Sequence, residues 1–183
     1  YWTSCPGCNA QAVCDYVEEA IATFNSSPFR GTSGGGFTIG IVGYGHVGKL
    51  VASMAEKRGY TVLLSDPPLG IGLSLEQIAP QCDILTFHTP LTRDGEYPTY
   101  HLCNADILRL CKPGALIINA ARGGVIDEQA LLPHLIASSP HHLIATIDCW
   151  EGEPEIHKTL LQHVDLASFH IAGYSMQGKM RAS

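Results

Sequence analysis

Short apolar runs alternate with amphipathic stretches through most of the chain, and their spacing sets the first expectation. Runs of the buried-strand kind occupy residues 37–42, 61–64, 83–87, 115–119, 143–147 and 165–168. Between them, apolar residues recur at helical spacing over 47–58, 75–79, 105–110, 127–136 and roughly 155–162. An earlier stripe of Val13, Val17, Ala20, Ile21 and Phe24 predicts a helix over residues 9–24, stopped by Asn25-Ser26-Ser27-Pro28. Strands apolar on both faces, alternating with helices, predict a parallel sheet covered on both sides. Right-handed crossovers then make the fold class α/β, a doubly wound parallel sheet of Rossmann type in three layers.

Composition narrows the class. The chain of 183 residues is 45% hydrophobic and 15% charged, enough to bury a core and unlike a disordered segment. A net charge of −6 with only 11 Lys+Arg and no basic run argues against a nucleic-acid or anionic-membrane surface. No apolar run approaches the roughly 18 residues of a membrane span, and the N-terminus lacks a signal-peptide pattern. The expectation is a cytoplasmic-type domain. A first residue other than Met, followed almost at once by an apolar helix, reads as a piece of a longer protein.

The seven cysteines are odd in number and scattered, which predicts reduced thiols rather than a disulfide framework. Cys5-Pro6-Gly7-Cys8 has C-x-x-C spacing, but no second pair or nearby His completes a zinc set, so no metal site is expected. A redox motif of this kind should follow a strand, and little chain precedes this one.

Gly43-Tyr44-Gly45-His46-Val47-Gly48 fits G-x-G-x-x-G, and here a strand runs into it and an amphipathic helix leaves it. In that context the first glycine serves the turn, Gly45 admits a pyrophosphate, and Gly48 lets helix and strand approach. The helix N-terminus, at His46 and Val47, offers amides to the diphosphate. Asp66 ends the next strand, roughly 20 residues on, where a carboxylate accepts the ribose hydroxyls of an adenosine. Pro67 and Pro68 follow with no Arg to receive a 2′-phosphate, which favours NAD over NADP. Residues 1–30 then read as a crossover helix and connector, and residues 31–183 as the NAD-binding domain. Gly31-Thr32-Ser33-Gly34-Gly35-Gly36 is the flexible part.

Three further groups fall at the carboxyl edge of the expected sheet, where open α/β sheets bind ligands. Arg122, in Asn119-Ala120-Ala121-Arg122-Gly123-Gly124, sits among small residues suited to a cofactor against the backbone and a guanidinium reaching a carboxylate. Asp148 ends a strand and Glu151, Glu153 and Glu155 follow it. His170 follows the last strand. In a doubly wound sheet Arg122, Glu153 and His170 would converge on one crevice, with the carboxylate fixing the imidazole tautomer as acid–base work on an alcohol requires. Tyr97, Tyr100 and His101 lie in the long loop after Pro90, and spacing assigns them no role.

The glycine turn, Asp66, His88-Thr89-Pro90-Leu91, Asn119 to Gly123, Asp148 to Pro154 and His170-Ile171-Ala172-Gly173-Tyr174 together resemble the D-isomer-specific 2-hydroxyacid dehydrogenase family. The resemblance covers almost the whole chain. It implies NAD-dependent oxidation of a phosphorylated 2-hydroxy acid, with His170 moving the hydroxyl proton, Glu153 pairing with it and Arg122 binding the substrate carboxylate. By the same resemblance Thr89, Ala120, Ala121, Arg122, Asp148 and Gly173 line the nicotinamide side, and Tyr174 meets the substrate. Phe169 departs from the Pro that commonly precedes this His. The resemblance also implies a substrate domain and a dimerisation domain outside this chain, so that the full-length protein is a homodimer and the isolated chain is inactive. Dehydrogenation of another D-2-hydroxy acid, or NAD sensing without catalysis, stands as the alternative.

Overall fold

A computed structural model describes residues 7–26 and 36–174. Cys5 and most of the Gly31–Gly36 connector lie outside the described residues. A seven-stranded sheet carries the fold, in the order β3-β2-β1-β4-β5-β6-β7. In chain order the strands are β1 (Thr38–Val42), β2 (Thr61–Asp66), β3 (Ile71–Gly72), β4 (Ile84–Phe87), β5 (Leu116–Asn119), β6 (Ile144–Ile147) and β7 (Leu166–Ala167). The helices are α1 (Ala10–Asn25), α2 (His46–Lys57), α3 (Leu75–Ile78), α4 (Ala105–Leu110), α5 (Glu128–Leu135) and α6 (Lys158–Leu161). The chain reverses direction across the sheet between β1 and β4, which are paired in parallel from Ile39↔Ile84 to Val42↔Phe87. That reversal opens a crevice at their carboxyl ends.

The strands are mainly apolar because alternate residues feed two cores. Ile39, Ile41, Ile84, Leu116 and Ile118 meet Val17, Ile21 and Phe24 of α1 and Val51 and Ala55 of α2 on one face. Val42, Leu85, Phe87, Ile117 and Ile147 meet Leu108, Leu131, Leu135 and Leu160 of α4, α5 and α6 on the other. No described helix is long and apolar enough to cross a membrane.

Two features differ from the sequence expectation. β3 is a two-residue antiparallel edge, Asp66↔Ile71 and Ser65↔Gly72, so the sheet is parallel except at that margin. It arises because Asp66 caps the turn Pro67–Leu69 through the Leu69 amide, folding the chain straight back on β2. The last helix is also shorter than the apolar spacing over 155–162 implied. His157 is its N-cap, Nδ1 accepting the Leu160 amide, and the residues before it form a turn closed by Glu155 N–H to Gly152 O.

The described cysteines are free, and Cys14, Cys82, Cys103, Cys111 and Cys149 are buried. Burial pushes the thiols of Cys82 and Cys111 up to about 12, so they remain protonated and inert. Among the described residues no three His, Cys, Asp or Glu gather in a metal-binding group.

Candidate active site

The glycine turn is built by close approach. A Cβ at Gly48 would lie 2.0 Å from the Gly43 carbonyl oxygen, so helix α2 can rise directly off β1 only with glycine there. The Gly43 amide donates to Ser65 O at 2.9 Å, tying the turn to β2. Among the described residues nothing lies within 4 Å of the missing Cβ of Gly45, the N-cap of the helix that begins with His46 and Val47. Asp66 is doubly engaged: Oδ2 accepts the Tyr44 amide at 2.6 Å and Oδ1 the Leu69 amide at 3.2 Å. Its carboxylate therefore braces the glycine turn and stands at the cavity wall with it.

A cavity of about 580 Å³ runs along this edge, lined by Gly43, Gly45, Asp66, His88 and Thr89, with Pro67, Pro68, Tyr97 and Pro98 as apolar walls. Two buried polar atoms here have no partner among the described residues, His88 Nδ1 and Thr89 Oγ1. Burial pushes the His88 imidazole down to about 3, so it is neutral, with Nε2 facing Thr86 Oγ1 at 3.1 Å. Orphaned polar atoms, an open glycine and a helix N-terminus at one crevice fit a dinucleotide, which brings amide, hydroxyl and diphosphate groups to satisfy them.

Arg122 projects from the turn after β5. Asn119, 2% exposed, organises that turn: Nδ2 donates to Arg122 O at 3.0 Å and Cys149 O at 3.2 Å, and Oδ1 accepts the Ala121 amide at 3.2 Å. Ala120 and Ala121 are buried, and Ala120 packs with Val13 and Ala172. The Arg122 side chain is exposed, with Nη1 donating to Ala121 O at 2.6 Å. A Cβ at Gly123 would fall 1.8 Å from Trp150 O, so the turn is seated on the chain leaving β6.

His170 Nδ1 is 2.9 Å from Glu153 Oε2, and Glu153 Oε1 accepts the Trp150 amide at 2.7 Å. The carboxylate fixes the tautomer with the proton on Nδ1, leaving Nε2 to face outward as an acceptor. Both side chains are partly exposed, at 47% and 33%. Asp148, read as lining the nicotinamide side, is 1% exposed. Its carboxylate accepts Ser168 Oγ at 2.6 Å and the amides of Ile171 and Ala172 at 2.8 and 2.9 Å. Gly173 follows this anchored segment, and Tyr174 is 70% exposed beside it. The structure thus brings Arg122, Glu153 and His170 to one edge, around the strand ends that also carry Thr89 and the glycine turn.

Sequence reading passed over Asn119, Ser168, Trp150 and Tyr16 as individual contributors. Trp150 Nε1 donates to Ser168 O at 2.7 Å, and Tyr16 Oη meets Ser168 Oγ at 2.7 Å, so both hold the segment that carries His170. Asn119 did leave a signal, being a polar residue ending an apolar strand.

Fold and site define a dinucleotide-binding α/β domain of the dehydrogenase kind. Residues 11–172 match the family described as D-isomer specific 2-hydroxyacid dehydrogenase, NAD binding domain, and the chain belongs to that family. The chain is 43% identical to erythronate-4-phosphate dehydrogenase of Salmonella paratyphi B, a match that covers 100% of this chain and 49% of that protein. It therefore spans about half the length of the curated relatives it matches. Among solved structures, an NADPH-dependent glyoxylate/hydroxypyruvate reductase from Sinorhizobium meliloti superposes with a TM-score of 0.80 at 24% identity, covering 98% of this chain and 63% of that one. The 3-phosphoglycerate dehydrogenase of Entamoeba histolytica gives 0.79 at 23% identity, covering 97% and 59%. At those identities the two structures establish the shared fold.

Proposed function

We propose that this chain is the NAD-binding part of an enzyme that oxidises 4-phospho-D-erythronate at C2 to the 2-oxo acid, a step toward pyridoxal 5′-phosphate. The observation that carries the reading is the Glu153–His170 pair at 2.9 Å, on the same sheet edge as Arg122 and the glycine turn. The 43% identity along the whole chain supports the choice of substrate.

Gly43, Gly45, the amides of His46 and Val47, Asp66 and Thr89 would hold the dinucleotide, and Ala120, Ala121, Arg122, Asp148 and Gly173 would border its nicotinamide. NAD when bound supplies the hydride acceptor. His170 Nε2 takes the C2 hydroxyl proton during oxidation and returns it during reduction, while Glu153 stabilises the imidazolium that forms. Arg122 binds the substrate carboxylate and polarises the C2 oxygen, a fork geometry that lysine would not reproduce. Tyr174 meets the substrate from the exposed edge. Orientation and water exclusion require a wall facing that edge. We place it in a substrate domain outside these residues, in a cytoplasmic homodimer.

Calorimetry of this chain with NAD and NADP, beside Asp66→Ala, tests the cofactor half of the proposal. The expected result is saturable binding that favours NAD and is lost in the variant. NADP binding equal to NAD refutes the assignment of Asp66. Robust turnover of erythronate 4-phosphate by the chain alone refutes the need for a facing domain. Absence of turnover in a protein of the relatives' full length refutes the substrate.

A further inference from the structure

Arg122, Glu153 and His170 stand at an open edge, where side-chain burial cannot hold them in register. Their backbones must be anchored instead, and one cluster outside the site ties two of the supporting loops together. His101 adopts a left-handed backbone, φ 52, uncommon for a side-chain-bearing residue. Such a conformation is strained and persists where the surroundings over-determine it. Its amide donates to Gly124 O at 2.7 Å, in the turn carrying Arg122. Its Nε2 lies 3.0 Å from both oxygens of Glu151, and Nδ1 lies 3.6 Å from Asp127 Oδ2. Tyr100 stacks on the His101 ring at 3.9 Å and donates its hydroxyl to Glu151 Oε1 at 2.9 Å. The Arg93 guanidinium lies 3.7 Å from the Tyr100 ring centre.

Glu151 is gripped from the other side as well. Its amide donates to Glu128 Oε1, at the first turn of α5, at 2.6 Å. A Cβ on Gly123 would come 3.0 Å from Glu151 N, and one on Gly124 3.3 Å from the Tyr100 ring. The residue two places after Glu151 is Glu153, the partner of His170. Glu151 thus sits between the Arg122 turn and the Glu153 turn, bound through both its carboxylate and its amide.

We infer that His101 and Tyr100, acting through Glu151, are positioning residues that set the Arg122 turn in register with the Glu153–His170 pair. This rests on the catalytic reading of His170. Directional, charge-assisted bonds suit the task, since they fix an angle as well as a distance.

The test reads the His170 ring directly in the 183-residue chain, by ¹⁵N shifts of its two nitrogens at mildly alkaline pH. In the wild type, Nδ1 bears the proton and the two shifts are well separated. His101→Asn keeps a residue tolerant of the left-handed backbone and removes the reach to Glu151. In it and in Glu151→Ala the two shifts should converge toward the tautomer average, while Glu151→Gln, which can still accept both bonds, retains the separation. Tyr100→Phe should produce a partial convergence. Unchanged His170 shifts in folded His101→Asn overturn the inference, as does convergence in Glu151→Gln equal to that in Glu151→Ala. If Glu151→Ala does not fold, His101→Asn and Tyr100→Phe decide alone. Failure of the catalytic reading is a separate result, seen as full turnover in a His170→Ala enzyme with the wild-type shifts behaving as described.

Discussion

Asp148 and His170 are joined through the main chain and again through the segment around it. The His170 amide donates to Asp148 O at 2.7 Å, and the Asp148 carboxylate then collects the next two amides, of Ile171 and Ala172. A left-handed backbone at His170, φ 56, is thereby held by a fully buried carboxylate on the neighbouring strand end. His170, the proposed acid–base residue, is placed by hydrogen bonds, with little help from packing.

Asp148→Asn should therefore destabilise the chain by about 1–3 kcal/mol, because an amide cannot accept all three donors and leaves at least one unpaired in the interior. Urea unfolding midpoints measure this. A midpoint equal to the wild type would show that the carboxylate is not the anchor.

Gly45 and Gly48 separate stability from affinity. Gly48→Ala places a methyl 2.0 Å from the Gly43 carbonyl and should cost at least about 1–3 kcal/mol of stability. Gly45→Ala meets nothing within 4 Å and should melt like the wild type, yet bind NAD at least tenfold more weakly because the added methyl occupies the pyrophosphate approach. Wild-type NAD affinity in Gly45→Ala would move the diphosphate elsewhere.

In a protein of the relatives' full length, His170→Ala should lower turnover of erythronate 4-phosphate by about 10²–10⁴-fold, the span of a lost acid–base group, with NAD affinity within twofold. The Glu153–His170 contact at 2.9 Å motivates this. Steady-state kinetics with a separate NAD titration decide it, and equal losses of turnover and NAD affinity would point to collapse of the site.

Two buried groups impose opposite pH slopes on stability. Burial, with the charges of Glu151 and Glu153, pushes the Glu128 carboxyl up from 4.5 to about 7. The native state then holds a proton that the unfolded chain has released, so stability falls as pH rises across that window. His88, lowered by burial from 6.5 to about 3, works the other way: the unfolded chain binds the proton first, so stability is lost as pH falls from 6.5 toward 3. Between 4.5 and 6.5 the two slopes oppose each other. Relative to wild type, Glu128→Gln should add a slope of about +1.4 kcal/mol per pH unit there, and His88→Gln one of the opposite sign. Urea midpoints at three pH values within the window measure both slopes, and parallel wild-type and Glu128→Gln profiles would contradict the Glu128 assignment.

Much of this protein is legible along the chain. The alternation of apolar strands with amphipathic helices expresses a sheet buried on both faces, so residues such as Ile117 and Ile118 are apolar in succession because each feeds a different core. The glycine turn is readable for the same local reason, its strand, turn and helix being contiguous. Convergence of Arg122, Glu153 and His170 follows once the sheet is parallel, because parallel strands end at one edge. The tertiary structure alone decided the rest. His101 and Glu151 lie 50 positions apart, and nothing in either neighbourhood marks them as partners. Asp148 reads as one more acidic residue at a strand end, and its turn inward to cap the His170 segment depends on β6 and β7 lying side by side. Local propensity and periodicity act over a few residues, whereas hydrogen bonds between loops exist only after the sheet has brought strand ends together, which is why the scaffold could be read from the sequence and the bracing of its carboxyl edge could not.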